Sequence, residues 1–206
     1  MNRTASIRIK GLNPVALKEN LPFIVLLTIT LISILFGALS TSYENFKIFS
    51  EELLNRYLQN RSSEPFISKM LLISYDSLKC LIFSFLCGTS ALGLILSPLS
   101  LGYLSFCYGS MAGMIYIKYG IYGIVFNLFV LIIPSLIVML SMIISAKECV
   151  FLSLKITQLY IKDKRPISLY NSFKMYCLKH LLLLIPIFIS VILDSVLFDI
   201  FEKYIN

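Results

Sequence analysis

Charge is scarce in this chain. Asp, Glu, Lys and Arg make up 14% of its 206 residues, hydrophobic residues make up 58%, and mean hydropathy is +0.85. A soluble domain of this size could not hide that much apolar surface in one core. Catalytic signatures are missing as well: the sequence has no GxSxG, no HExxH, no P-loop and no paired aspartates within an apolar run. Its single histidine, His180, sits beside Lys179 and reads as an interfacial anchor, not a catalytic base. The five cysteines (Cys80, Cys87, Cys107, Cys149, Cys177) form no CxxC and no metal-ligand spacing, so they read as free, buried small side chains. These absences argue against an enzyme, a cofactor and a metal site. The net charge of +7 is no nucleic-acid signal either, because the basic residues fall beside apolar stretches, where they set orientation and touch anionic headgroups.

What the chain does have is five apolar stretches, the pattern of an all-α, polytopic transmembrane helical bundle in one integral membrane domain spanning 1–206. The spans are expected at about 21–40, 78–96, 99–117, 121–146 and 180–198. Between the second and third lies only Ser97-Pro98, where a missing N–H and a restricted preceding residue favour a break. Pro134 interrupts the fourth stretch, but too few residues flank it on either side for two crossings, so it is expected to kink one span. Ala38-Leu39-Ser40 has the form of a signal-peptidase site. The long basic region and long apolar run before it favour a retained anchor instead.

Two extramembrane segments complete the pattern. The outer one, 41–77, carries Phe46, Phe49, Leu53 and Tyr57 at helical spacing, with Glu51, Glu52 and Arg56 on the other side. This stripe must be covered by something: the outer leaflet, the protein's own spans, or a docking partner. The inner segment, 147–179, is rich in lysine, with Lys162-Asp163-Lys164-Arg165-Pro166 as its turn. Lys and Arg number 11 on the side of the N-terminus and 7 on the other, which favours N-terminus in and C-terminus out across a cell membrane.

Small residues recur every four positions: Ser105, Gly109 and Gly113 in the third span, Ser84 and Gly88 in the second, Ser33, Gly37 and Thr41 in the first. Such ladders let helix backbones approach closely. Packing within one copy is the simpler use, and an interface between copies of the chain is the alternative. Intramembrane polar residues are few: Asn127 in the fourth span and Asp194 near the outer end of the fifth, with Lys79 and Lys118 at comparable depth. Asp194 either reaches the interface or pairs with Lys79 or Lys118. A proton path lacks a second buried acid.

From Gly102 to Lys155 the order of motifs resembles a known family. A glycine-rich span is followed by Tyr119-Gly120-Ile121-Tyr122-Gly123, then Ile133-Pro134-Ser135, then Ala146-Lys147-Glu148 and Phe151-Leu152-Ser153. With Phe173-Lys174-Met175-Tyr176 before the last span and Phe36-Gly37-Ala38 in the first, the chain is similar to the stage II sporulation protein M family of endospore-forming bacteria. Many members have a polar Gln-Asn or His after the fourth-span proline, where this chain has Ser135-Leu136. The resemblance implies a non-enzymatic scaffold in a bacterial membrane. Its partners would be cell-wall hydrolases, a transglycosylase and an amidase, which remodel peptidoglycan during engulfment. The competing reading is a membrane subunit of a transporter. That reading expects Asn127, the Pro134 break and the Ser97-Pro98 break to converge on one cavity.

Overall fold

The computed structural model describes residues 14–62, 65–162 and 169–201. The N-terminal basic residues Arg3, Arg8 and Lys10, the expected turn at Asp163–Pro166, and Lys203 lie outside the described residues. Every described element is helical: α1 (Pro14–Ser40), α2 (Glu44–Ser62), α3 (Phe66–Gly88), α4 (Gly93–Phe126), a π-helical turn (Asn127–Ile132), α5 (Ile133–Lys162), α6 (Leu169–Leu182) and α7 (Leu184–Phe201). Four stretches are long and apolar enough to cross a membrane: 20–40, 66–88, 93–159 and 169–201. The third of them folds back on itself. Gly120 has φ 56°, a left-handed conformation that suits glycine, and the chain reverses there. Asn127 then reaches back to the Ala112 carbonyl and Cys149 to the Gly93 carbonyl, so the two arms run antiparallel. Large apolar side chains stay exposed around the rods, among them Leu31, Ile32, Leu35, Leu71, Ile95, Ile121 and Ile185. The chain is a multi-pass helical membrane protein: in a bilayer such faces meet lipid, and helices satisfy their own backbone groups.

Several expected boundaries move. The break at Ser97-Pro98 is absent, and the turn falls instead at Thr89–Leu92, where Ser90 N–H reaches the Cys87 carbonyl. Pro98 sits inside α4 as its sixth residue, where it removes the N–H that would meet the Leu94 carbonyl without ending the helix. The second span is therefore Phe66–Gly88, not 78–96, and the third begins at Gly93, not 99. Lys69, Asp76 and Lys79, which placed the first half of α3 outside the membrane, are part of this apolar helix. The outer amphipathic segment shrinks to α2. The inner segment 147–179 is the end of α5 followed by α6, and the fourth helix runs on to Lys162. The fifth span is broken at Leu183: Pro186 has no N–H for the Leu182 carbonyl, and α7 restarts beside it. Pro134 kinks without reversing the chain, as expected. The wider π-turn just before it accommodates the proline ring and the Val130 carbonyl.

The small-residue ladders close helix seams within the chain. α1 and α4 run parallel and touch backbone to backbone, with Gly37 against Phe106, Gly109 against Ile34, and Gly113 against Ala38 and Thr41. A Cβ on Gly113 would come within 2.8 Å of the Ala38 carbonyl oxygen, and Gly37 and Gly109 leave even less room. Dispersion across such a seam holds helices where lipid supplies no hydrophobic drive. Leu26, Leu81, Leu101, Val138, Met142 and Ile187 then join α1, α3, α4, α5 and α7 in one core.

Candidate functional site: a charged chamber within the bundle

α2 packs one face against the bundle. Phe46 and Phe49 pack against Phe106 of α4, with ring centroids 6.3 and 6.4 Å apart. Its buried face is Ser50, Leu54, Tyr57 and Arg61, one row at i, i+4, i+7 and i+11. Leu54 and Tyr57 enter a cluster with Met111, Ile115, Phe126, Val130 and Phe198, while Leu53 is only partly buried at its edge. Of the stripe, Tyr57 is buried by the protein's own helices and Phe49 and Leu53 are partly covered, while Phe46 stays 43% exposed. Arg61 continues the buried face.

Arg61 finds its partner in Asp194. Nη2 lies 2.5 Å and Nε 3.1 Å from the two carboxylate oxygens, a two-point fork. Arg61 Nη1 also donates to the Tyr57 carbonyl, the guanidinium lies 3.5 Å from the Tyr57 ring centroid, and the Tyr57 hydroxyl donates to Asp194. Both ionic side chains are less than a tenth exposed. Burial works against the guanidinium, but the Tyr57 and Asp194 oxygens more than restore it, so Arg61 is held charged. Asp194 pairs neither with Lys79 nor with Lys118. Lys79 lies 2.9 Å from Asp76, and Lys118 is exposed over the Tyr119 ring. A second link, Lys69 to Asp199, ties α3 to α7 one turn further along.

Around this pair opens a chamber of about 370 Å³, lined by α2, α3, α4, α5 and α7. That volume lies in the range of small-molecule sites, about 300–1,000 Å³. Its wall is apolar at Ile73, Leu104, Met111, Leu131, Val138 and Val191, and polar at Ser77, Tyr103, Tyr108, Ser135 and Ser190. Pro134 contributes through its carbonyl, which accepts the Ser190 hydroxyl at 2.7 Å. At one side stand Arg56, Asp76 and Lys79. Arg56 lies 4.0 Å and Lys79 2.9 Å from the same Asp76 carboxylate, and all three side chains are about half exposed or more. Asp76 and Lys79 lie about 15 and 20 Å from the start of α3. Both positions fall near the middle of this 23-residue apolar helix.

Of the polar positions singled out in the sequence, Asp194 and Lys79 line the chamber, while Asn127 and Lys118 do not. Asn127 begins the π-turn, its amide nitrogen 3.5 Å from the Ala112 carbonyl and its buried carbonyl oxygen without a protein partner. The Ser97-Pro98 element is also elsewhere: Ser97 borders a separate void of about 10 Å³ with Ser84 and Ser100. Only the proline bend of the transporter expectation therefore reaches the chamber.

A second polar node joins α3, α5 and α6 away from the chamber. Ser145 Oγ lies 2.8 Å from Ser84 Oγ and 2.9 Å from His180 Nε2, and His180 Nδ1 lies 3.1 Å from the Tyr176 carbonyl. The Tyr176 hydroxyl donates to the carbonyls of Phe85 and Ser84, and its ring covers Gly88, where any Cβ would collide with it. His180 is buried here, not at an interface as its position beside Lys179 suggested. Ser105, like these, is fully buried, bonded to the Leu101 carbonyl and set against Met139. Among the described residues, no group of three His, Cys, Asp or Glu side chains could hold a metal ion. Compared with protein-family models, curated proteins and solved structures, the chain matches none.

Proposed function

We propose that this chain is a non-enzymatic, permease-like membrane component whose chamber is wetted and takes a polar ligand. One observation supports the reading above all: Arg56, Asp76 and Lys79 stand half exposed around a ligand-sized space, level with the middle of apolar helices. Charged side chains at that depth mark substrate or ion pathways, because lipid alone would not tolerate them. The Arg61–Asp194 lock seats α2 over this space as a fixed wall.

The orientation proposed is N-terminus in, in a bacterial cell membrane. With Lys69, Lys79 and Lys118 on one side and Lys147, Lys155, Lys174 and Lys179 on the other all lying within the apolar stretches, the remaining Lys and Arg still favour the same side, 7 against 4. The chamber would then lie toward the outside.

The native cysteines provide the test. Cys80 and Cys107 border the chamber, whereas Cys87 and Cys149 are buried in the inner half. In a variant keeping Cys80 alone, a hydrophilic, membrane-impermeant thiol reagent added to intact cells should modify it. Absence of labelling in a folded protein would end the wetted-chamber reading.

The scaffold role implied by the sporulation-protein resemblance uses a different surface, the exposed outward face of α2 with Glu44, Lys47, Glu51 and Glu52. Its test is recovery of cell-wall hydrolases with the solubilised protein, and their loss when these four positions are changed to Ser.

A further inference from the structure

An open groove of about 360 Å³ runs between α5 and α6, at the end of the bundle opposite the chamber. We infer that it binds the headgroup of an anionic phospholipid. Three observations combine. The first is level: Glu148 and Lys155 lie about 15 and 25 Å beyond Val138 along α5, toward the end of the apolar stretch that closes at 159. The second is lining. Lys155, Asn171, Ser172 and Lys179 supply donors, while Phe151 and Met175 form an apolar floor along which an acyl chain fits.

The third is charge. Two lysines face the groove and one carboxylate answers them. Lys179 is held 2.6 Å from Glu148, but Lys155 donates to the neutral Ser172 hydroxyl at 2.9 Å. Of the residues lining the groove only Glu148 is acidic, and Lys179 holds it, so within the lining Lys155 is the lysine left for a phosphate to meet. Side chains on a helix lean toward its N-terminus. On these two antiparallel helices Lys155 and Lys179 therefore lean toward one another, bracketing a single headgroup position. This site does not depend on the chamber, and its ligand comes from the bilayer.

Native mass spectrometry of the full chain in detergent tests the assignment, with phosphatidylglycerol and phosphatidylcholine offered in parallel. Phosphatidylglycerol should be retained in preference. The double variant Lys155→Gln/Asn171→Ala should lose retention about fivefold or more, the scale of one lysine at an anionic surface. Lys155→Arg should keep it. Both altered side chains are exposed, so the fold should survive, and an unchanged unfolding midpoint confirms that it has. Displacement of the lipid by millimolar inorganic phosphate would locate recognition in the phosphate itself. Resistance to phosphate would show that the acyl contacts are needed too. Equal retention of the two lipids, or undiminished retention by the folded double variant, would overturn the assignment.

Discussion

The chamber and the serine–histidine node are both polar interiors within the same rods, and they are built in opposite ways. The node is neutral and closed: Ser84, Ser145, Tyr176 and His180 satisfy one another across α3, α5 and α6, and the void beside them is about 10 Å³, enough for a water and nothing larger. The chamber is ionic and roomy, with five charged side chains around some 370 Å³. Polar groups that fill their own space hold helices in register. Polar groups arranged around unfilled space leave bonding capacity for something else, and for that reason the functional reading belongs to the chamber.

The largest expected effect is at Asp194. Replacing it with Ala strands the buried Arg61, which should lower stability by about 3–5 kcal/mol, as for other broken buried pairs. Thermal unfolding of the purified protein measures it. Removing both charges together, in Arg61→Met/Asp194→Leu, should recover most of the loss. If the single variant is as stable as the parent, the ionic lock is not what seats α2.

Next comes Gly88→Val in the node. Its side chain would push Tyr176 off the Phe85 and Ser84 carbonyls, at a cost of about 1–3 kcal/mol by overpacking. Smaller still is Ser145→Ala, which removes neutral hydrogen bonds between helices worth about 0.6 kcal/mol each in a membrane bundle. A loss there matching that of Asp194→Ala would erase the distinction between the two regions. The smallest effect is expected for Lys79→Gln. Half exposed and sharing Asp76 with Arg56, Lys79 should contribute under about 1 kcal/mol.

Much of the helical frame was legible because local rules governed it. The ladders at Gly37, Gly109 and Gly113 announced the α1–α4 seam, and Pro134 announced a bend without a crossing. Where charge and proline overrode hydropathy, the boundaries slipped. Lys69 and Asp76 looked extramembrane because Asp199 and Arg56, which answer them, lie on other helices, whereas Lys79 pairs with Asp76 on α3 itself. The true turn at Thr89–Leu92 contains neither Gly nor Pro, while the neighbouring Pro98 imitated one. The chamber itself was hidden, since Arg61 and Asp194 are 133 residues apart. A signal was nonetheless available. Arg61 falls on the row of Ser50, Leu54 and Tyr57, and an arginine on a buried face requires an acid.

The seating of α2 has a consequence for how the protein is made. Arg61, on α2, is synthesised long before its counter-ion, because it precedes Asp194 of α7 by 133 residues. Until α7 is delivered, no acid waits for the guanidinium, and the helix that bears it has every reason to stay in the watery headgroup zone. Phe46, Phe49 and Leu54 can meet α4 before then, but the buried end of α2 closes the chamber wall only once α7 supplies the carboxylate.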